Sequence, residues 1–98
     1  MSSRKILGMS TDFKKLEKLV KAVANRRRLA ILAYLKKNGE APVWNIAEEI
    51  KLSLKATSRH LIVLRSADLV LWEQRSIEMH YRLAPSSHPV IDTLLKIL

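Results

Sequence analysis

Residues 43–65, VWNIAEEIKLSLKATSRHLIVLR, constrain the fold of this chain more than any other stretch. The spacing of their apolar residues predicts two short helices, with a tight turn at residues 51–53. Ser53 is a good N-cap for the second helix. The apolar positions of the first helix are Val43, Ile46, Ala47 and Ile50. This pattern is typical of a helix-turn-helix.

The second of these helices has two different faces. One face is expected to be buried and comprises Leu54, Thr57, Leu61 and Leu64. The other is basic and hydrogen-bonding in its N-terminal half and comprises Lys55, Ser58, Arg59 and Ile62. A helix that reads DNA needs such a division, because the core holds one face while the other lies in the major groove. A solvated basic helix remains the alternative interpretation.

The charge of the chain favours a polyanionic partner. Eighteen Lys and Arg residues against nine Asp and Glu residues give a formal net charge of +9. Amphipathic helices on membranes usually carry their charge on one continuous face. Here the cations are spread over the first helix, residues 26–28, the helix-turn-helix and Arg75, which suits a nucleic-acid backbone better.

Length and composition indicate a single domain. The 98 residues, 48% of them hydrophobic, suffice for one modest core. No apolar run approaches the ~20 residues that span a bilayer, and no secretory signal is evident. The absence of cysteine excludes disulfides and thiolate metal sites and favours a cytoplasmic location. We expect a flexible basic arm at residues 1–9 and one domain at residues 10–98.

Two helices are predicted before the helix-turn-helix. The first begins after residues 10–12, and its polar side, Lys14, Lys15, Lys18 and Lys21, is interpreted as a solvated face rather than a DNA contact. The second runs from Arg26 to about residue 37 and stops at Asn38-Gly39, where Gly39 can adopt the left-handed conformation. Pro42 is expected to start the next helix.

A hairpin is predicted after the second helix of the helix-turn-helix, which we call the reader helix. Residues 69–72 are rich in β-formers, and residues 79–83 alternate apolar with polar side chains. A hairpin in this place is a wing, and Arg75 near its tip would suit the sugar-phosphate backbone or the minor groove. The turn type stays open, because no Asn-Gly or Asp-Gly marks it.

The last helix, which starts at Pro89, is too apolar to stand in water alone. It could simply cover the core of its own domain. We favour a second interpretation, in which it pairs with the first helix of its own chain and with the same elements of a partner, because this length leaves more apolar helix surface than one small core absorbs. The predicted dimer interface comprises Phe13, Leu16, Val20, Val90, Ile91, Leu94, Leu95 and Leu98.

Several stretches resemble the ArsR/SmtB family of small winged-helix repressors. Residues 22–32 are similar to its "ALADPTRLRIL", and residues 45–50 to its "ELAEAL". Residues 52–65 are similar to "LSxxxVSRHLxxLR", and residues 81–83 to the "YYRL" that closes its wing. The resemblance covers roughly residues 20–83 and implies a homodimeric, DNA-binding transcriptional regulator, usually a repressor.

The chain departs from this family's pattern at the positions of its metal sites. The family's metal-sensing cysteines would fall at residues 43–46, where this chain has none. The last helix offers only His88 and Asp92, and two ligands per chain rarely make a transition-metal site. Pooling of these two residues from both chains of a symmetric dimer stays open as an alternative. Where the family usually has a glycine in the turn, this chain has Lys51. Where the family usually has a glutamine that reads a base, this chain has Leu54, so we expect Lys55 to make the base contact instead. No metal or cofactor is predicted.

The sequence thus predicts a mostly α fold with a small β-hairpin wing, in the order helix, helix, helix-turn-helix, wing, helix. The predicted function is sequence-specific binding of double-stranded DNA by a homodimeric, cytoplasmic transcriptional repressor, with an unknown effector and no enzymatic activity. The alternatives are a winged-helix module for protein assembly, or nonspecific chromatin-type binding; RNA binding has less support, without an aromatic platform. The predicted DNA-binding residues are Lys51, Ser53, Lys55, Ala56, Ser58, Arg59, Arg65 and Arg75.

Overall fold

The described residues form five helices, a three-stranded antiparallel sheet and a separate two-stranded one, which confirms the predicted fold class. The computed structural model describes residues 5–6, 9–85 and 88–98. The strands are β1 (Lys5–Ile6), β2 (Met9–Ser10), β3 (Glu40–Pro42), β4 (Val70–Arg75) and β5 (Glu78–Leu83). The helices are α1 (Phe13–Val23), α2 (Arg26–Asn38), α3 (Val43–Ile50), α4 (Leu54–Ser66) and α5 (Pro89–Ile97).

Side-chain caps define where the helices begin. Asp12 Oδ1 accepts a hydrogen bond from the Lys15 amide, and Asn25 Oδ1 accepts from the first turn of α2. Ser53 Oγ accepts from the Ala56 amide at 3.1 Å and so fixes the start of α4. His88 Nδ1 accepts from the amide two residues later and begins α5. The cap that the sequence predicts at Ser53 is therefore confirmed.

The sheet has the strand order β3-β5-β4, one strand more than the predicted hairpin. β3 pairs with β5 through Glu40↔Arg82 and Ala41↔Tyr81, which ties the start of α3 to the wing. Three residues that include a proline carry no strand pattern, so periodicity could not reveal β3. Pro42 ends this strand and is the N-cap of α3, which begins one residue later than expected.

The core lies where α2, α3, α4 and the sheet meet. Its fully buried members are Ile31, Leu32, Leu35, Ile46, Leu61, Leu64, Val70 and Thr57. The predicted burial of one face of α4 is confirmed at Thr57, Leu61 and Leu64. It is wrong at Leu54, which is 54% exposed. Leu54 is the first residue of α4 and projects past the end of the core toward the wing.

The last helix packs on α2 rather than on α1. Ile91 is buried, and together with Leu95 it lies against Leu32 of α2. The expected pairing of α5 with α1 within one chain is therefore wrong, because α2 presents the nearer apolar surface. At the other end, β1 and β2 pair antiparallel; the rest of the predicted arm, residues 1–4 and 7–8, lies outside the described residues.

Candidate nucleic-acid interface

The N-terminal half of α4 presents the predicted reading face to solvent. Lys55 and Arg59 are exposed, and Ala56 and Ser58 are partly exposed. Among the described residues, no hydrogen bond or ion pair engages the side chains of Lys55 or Arg59. The two cations are thus free to bind phosphate oxygens or the acceptor edge of a guanine.

Lys51 and Ser53 lie in the turn before α4. Lys51 has φ 56° and ψ 52°, the left-handed conformation that glycine adopts most easily, and its side chain is exposed. The Ser53 hydroxyl oxygen already accepts the Ala56 amide, but its O–H can still donate to a phosphate. The N-terminus of α4 therefore combines a cation, a hydroxyl donor and the positive end of the helix dipole.

Two of the three arginines at residues 26–28, Arg27 and Arg28, have structural partners. Arg27 Nη1 donates to the Ile50 carbonyl at 3.0 Å and so binds the C-terminal end of α3. Arg28 Nε donates to the Ala22 carbonyl at 2.6 Å, and its Nη2 donates to the Lys21 carbonyl, at the end of α1. Free carbonyls at helix C-termini are natural sites for guanidinium groups. Both guanidinium groups are therefore already engaged within the protein.

His60 of α4 is half-buried and hydrogen-bonded to Arg28 of α2. A guanidinium can only donate, so the Arg28 Nη1 bond requires a lone pair on His60 Nδ1. Burial lowers the pKa of His60, and the nearby charges of Arg28 and Arg27 lower it further. The neutral ring thus links the reader helix to the junction of α1 and α2.

The wing tip carries more acid than base. Arg75 is bonded to both carboxylate oxygens of Glu40, and its Nε donates to Glu73 at 2.9 Å. These two carboxylates raise the pKa of Arg75, the Glu73 bond most strongly. His80 lies 3.4 Å from both Glu40 and Glu78. We call Glu40, Glu73, Arg75, Glu78 and His80 the wing-tip cluster.

Trp44 and Arg65 brace the wing against the helices. Trp44 Nε1 donates to Glu78 Oε2 at 2.7 Å, and this bond lowers the pKa of Glu78. The Arg65 guanidinium lies 4.7 Å from the centre of the Trp72 ring, within the range of a cation–π contact. Arg65 and Arg75, both predicted to bind phosphate, are therefore already engaged within the protein.

The hairpin turn consists of Ser76 and Ile77. Ser76 has φ 57°, and two-residue hairpin turns of the common types need a positive φ at this first central position. Ile77 is 94% exposed. The DNA-binding residues predicted from the sequence do not include this apolar residue at the tip of the wing.

The predicted dimer residues divide into an exposed and a buried group. Phe13, Val20 and Val90 are exposed, and Leu16 and Leu94 are partly exposed. Ile91 belongs to the protomer core, and Leu95 and Leu98 pack against it. Ile97, which the sequence-based set omits, is 76% exposed. The apolar surface that could meet a partner therefore lies on one side of α1 and at the two ends of α5.

Neither a metal cluster nor a membrane-spanning helix is found in the described part of the chain. Within residues 5–6, 9–85 and 88–98, no three His, Asp or Glu side chains come together as metal ligands would. None of the helices in these same ranges is both long enough and apolar enough to cross a bilayer.

Known proteins similar to this chain are bacterial regulators. The sequence profile of the bacterial regulatory protein, arsR family, matches residues 25–71. The arsenical resistance operon repressor of Escherichia coli (strain K12) is 36% identical over 67 residues, which are 68% of this chain. The match spans 57% of that repressor, so this chain covers little more than half of its length.

Solved structures extend the similarity to almost the whole chain. HlyU from Vibrio cholerae N16961 is 31% identical, with a TM-score of 0.76 over 91% of this chain and 92% of HlyU. Mb0332 from Mycobacterium bovis, a homodimeric winged helix-turn-helix DNA-binding domain and possible ArsR-family transcriptional regulator, is 28% identical. Its TM-score is 0.73, over 94% of this chain and 82% of that domain.

Proposed function

Because this chain belongs to the ArsR family of bacterial regulatory proteins, we propose that it is a sequence-specific repressor that binds double-stranded DNA as a homodimer. One observation carries the proposal. The exposed half of α4 offers Lys55 and Arg59 without intramolecular partners in the described structure, while Leu61 on the opposite face is fully buried. A helix held in this way can enter the major groove without losing contacts of its own.

Each residue of α4 has a proposed role. Arg59 reads a guanine through bidentate bonds to O6 and N7, the commonest specific contact in the major groove. Lys55 and Ser58 contact neighbouring base edges or phosphates, and the methyl group of Ala56 suits a thymine methyl. Lys51 and Ser53 bind a phosphate at the start of the helix. This division of labour involves no catalytic step.

The dimer is proposed to form through α1 and α5. Phe13 and Val20 on α1 and Val90 and Ile97 on α5 are exposed apolar side chains that association would bury. The homodimeric state of Mb0332 supports the same state here. Two reader helices related by a two-fold axis would bind half-sites about one helical turn apart.

A salt titration on a selected operator and on a random duplex of equal length tests the proposal. A specific repressor keeps a large ratio between the two affinities as salt increases, whereas a nonspecific binder loses affinity for both duplexes equally. A ratio near one at all salt concentrations would favour chromatin-type binding. No measurable binding to any duplex would favour a module for protein assembly.

A further inference from the structure

A groove runs between α1 and the C-terminal half of α4. Its floor is apolar and consists of Ala22, Ala67 and the side chains of Ile62 and Val63, which are 54% and 39% exposed. Lys18 and Lys21 form its rim. The cavity volume is about 340 Å³, within the range of small-molecule sites. We call these residues the α1–α4 groove.

The lysines at the rim have no acidic partners. Among the described residues, no carboxylate, hydrogen bond or ion pair engages the ammonium group of Lys18 or Lys21. A second depression of about 300 Å³ continues toward the start of α1, but Asp12 and Asp68 line it beside Lys14 and Lys15, so its charge is mixed. An apolar floor beside unpaired cations is complementary to a molecule with an apolar chain and one anionic group.

The proposed dimer would leave this groove open. Lys14, Lys18 and Lys21 lie at i, i+4 and i+7 on one flank of α1, whereas Phe13 and Val20 lie on the other flank. Leu19 and Ala22 lie between the two rows on the buried side of α1, and the exposed Glu17 lies between them on the solvent side. A partner that covers Phe13 and Val20 alone would leave Lys18 accessible, because Lys18 lies about 140° or more around the helix from both.

The groove adjoins the DNA-reading half of α4 at Ile62, three residues after Arg59, and extends from there toward the C-terminal end of the helix. Val63 lies eight residues after Lys55, about 12 Å along a helix that rises about 1.5 Å per residue. The exposed Ile62 and Val63 would gain nothing from a phosphate, but they would gain from an alkyl chain. The apolar floor of the groove therefore favours an amphiphile over nucleic acid as its ligand.

We propose that the α1–α4 groove binds a small carboxylate amphiphile, whose alkyl chain covers Ile62 and Val63 and whose carboxylate pairs with Lys18 and Lys21. The site is an addition to the DNA-binding role. Arg28 also lines the groove and holds His60 of α4, so a bound carboxylate would compete for the guanidinium that positions the reader helix. A ligand bound in the groove would then change the position of α4, and no metal would be needed for this effect.

The test is a titration of the full chain with decanoate below its micelle concentration, followed by amide chemical shifts. We expect the largest shift changes at the residues of the groove. The double variant Lys18→Gln/Lys21→Gln should lose at least tenfold in affinity, because only the charge at the rim is removed. Lys37→Gln changes an exposed lysine of α2 outside the groove and should leave the affinity unchanged.

Three outcomes would overturn the proposal. The first is equal binding of an uncharged alcohol of similar chain length, or shift changes outside the groove. The second is weaker DNA binding by the double variant without decanoate, which would assign the lysines to phosphate contacts. The third is a change in oligomeric state of the double variant, which would make the groove a surface between copies. Since the first titration contains no DNA, its failure leaves the DNA-binding proposal intact.

Discussion

Arg28 of α2 donates a hydrogen bond from Nη1 to Nδ1 of His60 on α4, across a distance of 3.2 Å. The same guanidinium binds two carbonyls at the end of α1, so three helices meet at one side chain. The bond exists only while the imidazole is neutral, since a protonated ring offers no lone pair at Nδ1. This makes the junction sensitive to acid.

The stability of the protein should fall as the pH is lowered through about 6.5, the ordinary pKa of histidine. The unfolded chain takes up a proton at His60 in this window, whereas the lowered pKa delays uptake in the folded chain. The free energy of unfolding therefore has its full value above the window and decreases below it. Urea unfolding at pH 7.5 and 5.5 measures this loss. His60→Gln, which accepts a hydrogen bond without titrating, should show a smaller loss; an equal loss would remove His60 as its source.

Arg59→Ala should cost about 1–3 kcal/mol of binding free energy on the operator and relax the preference at one base position. The reason is that a bidentate guanine contact discriminates against the other three bases. Competition binding with singly substituted operators measures both effects. Arg26→Ala removes an exposed arginine from α2 and serves as the matched control. If both variants kept the wild-type ratio of operator to random affinity, the assigned reading face would be wrong.

Substitutions at the two partners of one ion pair in the wing-tip cluster should change the DNA affinity in opposite directions. Arg75→Ala should weaken binding to all duplexes evenly, because it leaves Glu40 and Glu73 uncompensated near the DNA backbone. Glu40→Gln should strengthen binding evenly, because it removes a negative charge and leaves Glu73 as the one carboxylate that still engages the guanidinium among the contacts described above. Glu17→Gln, an exposed carboxylate on α1, is the control. Identical affinities for the Glu40 and Glu17 variants would place the wing tip beyond reach of the backbone.

Thr57→Val should stabilise the fold by about 1 kcal/mol or more. Thr57 is fully buried, and its Oγ1 has no hydrogen-bond partner in the described structure. Valine keeps the shape and stands at this position in the family motif that the sequence resembles. Chemical denaturation measures the gain, with the exposed Thr93→Val as control. DNA affinity should not change, because the side chain faces the core; a destabilised variant would indicate a partner for Oγ1.

Val20→Asp should convert a dimer into monomers, because it places a charge in the apolar row of α1. Sedimentation equilibrium at tens of micromolar distinguishes the two states. Ile77→Asp introduces the same charge at an exposed position of the wing, away from α1, and should leave the assembly intact. A wild-type chain that is monomeric at this concentration would refute the proposed interface.

The elements with regular spacing could be predicted from the sequence, and the contacts between distant residues could not. The helix-turn-helix and the wing followed from apolar periodicity and from the Ser53 cap. The third strand was missed because Glu40–Pro42 is too short to show a period. The Arg75 pair with Glu40 joins residues 35 positions apart, and no local pattern encodes such a partner. The same holds for Arg28 and His60, which are 32 positions apart.

The acidic wing-tip cluster has a consequence for the approach to DNA as well as for the bound state. In a chain of net charge +9, a local excess of Glu over Arg at one extremity gives the domain an electric dipole. The field of a nearby duplex would exert a torque on this dipole and turn the wing tip outward during diffusion. We expect the reader helix to meet the duplex first, so that the wing docks as the later step of association.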